Sequence, residues 1–69
     1  MRNDLFLQEM GAKIRKARNA KGISLRQLEA LCGLQHTNLG LIENGKKSCR
    51  VLTLKEIADT LNVNVKDFF

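Results

Sequence analysis

The stretch GISLRQLEALCGLQHTNLGLIENGK, Gly22 to Lys46, constrains the fold more than any other part of the chain. Its apolar residues recur at helical spacing in two short runs, parted only by Gly33 and a residue or two. Ser24 is placed to cap the first run, and Gln27 three residues on completes a capping box. Leu25, Leu28, Leu31 and Cys32 supply its apolar side, and Gly33 closes it. Across the start of the second run, Leu34 and Leu39 have the spacing of a hydrophobic staple. Leu39 and Ile42 are its expected buried anchors, and Asn44-Gly45 stops it. Two helices this short, joined by so tight a turn, cannot lie antiparallel along their lengths. Glycine in the turn lets them cross at a steep angle instead.

The remainder of the chain reads as helix too, since no segment alternates at length as a strand does. A first helix is expected from near Asp4 to Lys21, with Leu7, Met10, Ile14 and Ala17 facing inward and Gly22 ending it. After a basic, polar connection from Lys46 to Leu52, Thr53 and Glu56 have the spacing that caps a fourth helix. Leu54, Ile57, Ala58 and Leu61 line its inner side, and Asn62 ends it. The closing NVNVKDFF reads as a short last helix capped by Asn64, with Val65, Phe68 and Phe69 as its apolar residues. Without linker, repeat or low-complexity segment, residues 1–69 are expected to form one all-α, compact five-helix domain.

Sixty-nine residues allow one small core, and 43% hydrophobic residues with no proline indicate a globular chain. No apolar run approaches the roughly 20 residues of a membrane span. The N-terminus also lacks the order of a signal peptide, so a cytoplasmic protein is expected. Cys32 and Cys49 form no CxxC pair and have only His36 as a further soft ligand, so they read as reduced thiols rather than a metal site. The net charge of +5 suits an anionic partner such as nucleic acid. The charge gathers in two clusters, Lys13, Arg15, Lys16, Arg18 and Lys21, then Lys46, Lys47 and Arg50; either alone reads as an ordinary solvated face. There is no glycine-rich phosphate loop and no nucleophile motif. Glu29, Glu43 and Asp59 lack a histidine or second acid at a suggestive spacing, so no enzyme, cofactor or small ligand is expected.

Taken together, the helix lengths, the glycine placements and the final IENGK resemble the phage-repressor and Cro-type family of helix-turn-helix proteins, also called the XRE family. The match runs from IRKARNAKG to LTLKEIADTLNV, nearly the whole chain, with the helix-turn-helix at about residues 24–44. The resemblance implies a sequence-specific regulator whose third helix enters the major groove of double-stranded DNA. Carried over, the base-facing positions are His36, Thr37 and Leu41, with Gln35, Asn38 and Gly40 beside them. Phosphates would meet Ser24, Leu25, Lys46 and Lys47, and Glu43 would pair with Arg18 as a structural ion pair. A homodimer on two half-sites is expected, with Val63, Val65, Phe68 and Phe69 as its surface. Two residues depart from the family pattern. Leu25 stands where glutamine often contacts a phosphate. Glu29 stands where a small alanine usually packs on the third helix, so either Ala30 takes over part of that contact or the two helices sit apart. His36 is read as solvent-facing in the free protein. The rival reading is a protein-interaction module on the same fold, antitoxin-like or an adaptor, with Leu41 touching its partner.

Overall fold

Each helical element sends at least one side chain into a common core. Ile14, Leu28, Leu39, Ile57, Leu61 and Phe68 are all withdrawn from solvent. The computed structural model describes the backbone of residues 2–69 and the side chains from Asp4 onward. Along it run α1 (Arg2–Ala20), α2 (Leu25–Cys32), α3 (His36–Glu43), α4 (Val51–Leu61) and a 3-10 turn, Val65–Phe68. Among the described residues there is no strand, and the class is all-α. None of these helices is long and apolar enough to cross a membrane.

The local chemistry of α2 follows the sequence closely. Ser24 Oγ accepts from the Gln27 amide at 3.1 Å, and Gln27 Oε1 accepts from the Ser24 amide at 2.7 Å. Gly33, at φ +81°, takes the left-handed conformation and closes the helix through its N–H on the Glu29 carbonyl. One residue of the expected apolar side is misplaced. Leu31 is 62% exposed and lies on the outer side of α2, whereas Leu28 is buried.

The second half differs at two points. The fourth helix begins at Val51 rather than after Thr53, with Arg50 as the N-cap and no side-chain cap. The earlier start adds a backbone bond, Leu54 N–H to the Arg50 carbonyl at 3.0 Å, and leaves Val51 and Leu52 as its outer first turn. Asn62 ends α4 at φ 60°, a conformation asparagine tolerates better than most residues. The expected fifth helix is only the four-residue 3-10 turn, and Asn64 precedes it without a side-chain cap. That turn directs Phe68 into the core and leaves Phe69 outside. Phe68 therefore is core and not surface, while Val63 and Val65 are half-buried against the same cluster.

The crossing of α1 and α3 depends on a residue without a side chain. A Cβ on Gly11 would lie 2.5 Å from the carbonyl oxygen of Glu43 and would also strike that of Ile42. Only glycine allows the two backbones to approach this closely.

Candidate nucleic-acid interface

α3 is held at both ends and along one side, and this leaves one face free. Leu39, Ile42 and Glu43 are its buried residues. At 3.6 residues per turn, the opposite side carries Thr37 and Leu41 at its centre, His36 and Gly40 on the edge toward α2, and Asn38 on the other edge. Thr37 and Leu41 are exposed, and so is Gln35, which precedes the helix without capping it.

The C-terminal end of α3 is fixed by charge. Glu43 is buried, with Arg18 Nε at 2.7 Å from Oε2 and Arg18 Nη2 at 3.0 Å from Oε1. Arg18 Nη1 also donates to the Ile23 carbonyl at 2.8 Å. Arg15 adds a bond to Glu43 Oε1 at 3.3 Å and another to Asn44 Oδ1. Its bonds to Glu43 raise the Arg18 pKa above its already high ordinary value. The one acid of α3 is thus turned inward and matched by two guanidinium groups. From sequence alone, Arg15 reads as part of a solvated face. Its place three residues before Arg18, on the same side of α1, was the available signal.

A second carboxylate holds the N-terminal end. Glu29 Oε1 accepts from the His36 backbone amide at 3.2 Å and from His36 Nδ1 at 2.8 Å. Glu29 thereby does the capping that Gln35 does not, and its charge sits where a helix N-terminus favours an anion. The ring and amide bonds from His36 hold the Glu29 carboxyl below its usual range. One expectation is corrected here: His36 is half-buried and paired rather than solvent-facing. Ala30 is exposed, and Glu29 itself bonds α2 to the start of α3. Sequence reasoning missed this pair, since only the steep crossing at Gly33 brings positions seven apart together.

The flanks of the free face complete the site. Leu25 packs partly against the core, its Cδ1 lying 3.5 Å from where a Cβ on Gly40 would stand. Its side chain thus turns inward beneath α3. Beyond α3, Gly45 at φ +74° turns the chain, and the Lys46 amide donates to the Leu41 carbonyl at 2.9 Å. Lys46 is exposed, and Lys47 Nζ donates to Asn38 Oδ1 at 3.0 Å. Burial pushes the Cys49 thiol pKa up. Among the described residues, no group of three or more His, Cys, Asp and Glu side chains is placed to hold a metal ion.

This geometry can be set beside known proteins. The family described as helix-turn-helix, HTH_3, matches residues 14–68. The chain belongs to the HTH_3 family. Its fold is similar to that of the restriction-modification controller protein C.AhdI from Aeromonas hydrophila, at 26% identity and a TM-score of 0.93 over 100% of both chains. An HTH_3 family transcriptional regulator from Vibrio cholerae is 30% identical over 97% of this chain, with a TM-score of 0.90; the match spans 38% of that longer chain. The DNA-binding domain of BldD is 28% identical, with a TM-score of 0.88 over 96% of each chain. No curated protein matches the sequence. The matched residues include both α2 and α3.

Proposed function

We propose that this DNA-binding helix-turn-helix protein is a cytoplasmic regulator of transcription that occupies an operator as a homodimer, with α3 in the major groove. The observation that carries the reading is the free outer face of α3, kept rigid by Glu43 at one end and Glu29 at the other. Thr37 offers a hydroxyl to base edges, and Leu41, 44% exposed on a polar face, suits a thymine methyl. Gln35, His36 and Asn38 widen the polar reach, and Gly40 lets the duplex come close. Lys46 and Lys47 hold phosphates at the far end of the helix. At the start of α2, the capping box occupies the amides of Ser24 and Gln27, so the phosphate contact there falls to the amides of Leu25 and Arg26. The neighbours' descriptions as controller, transcriptional regulator and DNA-binding domain support a regulator.

Within the C-terminal surface, Phe69 is the residue left to meet a second copy. It stacks on Phe6 of α1 with ring centroids 6.3 Å apart, and both residues are exposed. The test is selection of duplexes from a random pool, followed by binding at two salt concentrations. Paired half-sites about 10 base pairs apart, with a steep salt dependence, are expected. If no sequence is enriched, the face of Leu41 serves a protein partner instead.

A further inference from the structure

We infer that Glu29 is a positioning residue that fixes the tautomer of His36, so that Nε2 faces the major groove as a hydrogen-bond acceptor and selects an amino-bearing base. The inference rests on α3 reading DNA and goes on to say what one of its side chains reads. An ionised carboxylate accepts hydrogen bonds and donates none, so Nδ1, 2.8 Å from Glu29 Oε1, must carry the proton. In a neutral imidazole the other nitrogen then has the lone pair. The same Oε1 also takes the His36 backbone amide, which fixes the ring's position relative to the helix as well as its tautomer. Among the described residues Nε2 has no partner and no side-chain nitrogen or oxygen is buried without one, so Nε2 opens to solvent. It does so at the first residue of α3, beside Thr37 on the free face.

The major groove distinguishes donors from acceptors. Adenine N6 and cytosine N4 donate, whereas guanine O6 and N7 and thymine O4 accept. A fixed acceptor therefore prefers adenine or cytosine on the strand it faces and rejects guanine or thymine. An imidazole free to exchange tautomers would satisfy either class and carry no such information. A small residue in place of Glu29 would leave His36 unfixed.

Two measurements test this. Nitrogen-15 NMR of the ring of His36 in the free protein at pH 8 should show the proton on Nδ1 in the wild type and in Glu29→Gln, whose Oε1 still accepts, and a mixture in Glu29→Ala. Duplexes selected by the wild-type protein, then varied at the one base pair whose preference is lost in His36→Ala, should bind about fivefold more weakly when adenine or cytosine is replaced by guanine or thymine. Glu29→Ala should lose that discrimination while still binding duplex DNA, and Glu29→Gln should keep it. A wild-type ring protonated on Nε2, or discrimination unchanged in Glu29→Ala, overturns the inference alone. If the wild-type protein retains no duplex, the DNA reading itself fails and the inference fails with it.

Discussion

Glu43 is an acid on a helix assigned to a polyanion, and burial beside Arg18 makes that tolerable. Arg18→Ala would leave the buried carboxylate with Arg15 as its remaining guanidinium partner, at 3.3 Å from a half-exposed side chain. The expected loss is roughly 3 kcal/mol or more in a denaturant titration, because the buried carboxylate loses the closer of its two guanidinium partners; a loss near zero would contradict the buried pair. Glu29 makes a pH-dependent contribution of definite sign. Its folded-state pKa is lowered, so its stabilisation is complete above the unfolded value near 4.5 and is lost as pH falls through the lower folded value. Thermal melts should show wild type more stable than Glu29→Gln near neutrality, with the difference closing in acid. A difference independent of pH would mean the charge contributes nothing. Resemblance to a family pointed to Arg18 and Glu43, but nothing in the sequence marked Gly11. The atoms that demand it are backbone carbonyls of an element far along the chain, and backbone leaves no residue-type signature.

At the scale of the element, α2 was legible because local bonds decide it: the Ser24–Gln27 box and the left-handed Gly33 depend on near neighbours alone. The start of α4 was not. Thr53 and Glu56 have the spacing of a box, but a cap contributes only about 1 kcal/mol, and an added helical turn with Leu54 seated in the core outweighs it. Gly40 separates stability from function within α3. A methyl there meets only Leu25 Cδ1, at an ordinary contact distance of 3.5 Å, so Gly40→Ala should stabilise the fold by about 1 kcal/mol. The same methyl stands on the edge of the free face, and it should weaken duplex binding. A stabilised variant that binds DNA as well as wild type would show that the duplex does not approach α3 at Gly40.

For the molecule as a whole, the core was legible wherever helical periodicity held, as at Ile14, Leu28, Leu39, Ile57 and Leu61. It was not at the last two phenylalanines. A turn of four residues has no period long enough to show which ring points inward, and packing against α1 and α4 sends Phe68 in and Phe69 out. Dimerisation through that end predicts that Phe69→Asp, 54% exposed in the wild type, lowers the mass seen by light scattering without unfolding the protein. A wild-type protein that stays monomeric when concentrated and when bound to DNA would remove the dimer. Whether α3 reads DNA is decided by affinities for operator and scrambled duplex at two salt concentrations. Leu41→Ala should cost about 1 kcal/mol on the operator, through lost methyl packing, and leave scrambled duplex unchanged. Lys46→Ala should weaken both and reduce the salt slope by about 1. If Leu41→Ala alters neither affinity and Lys46→Ala leaves the slope intact, α3 does not read DNA.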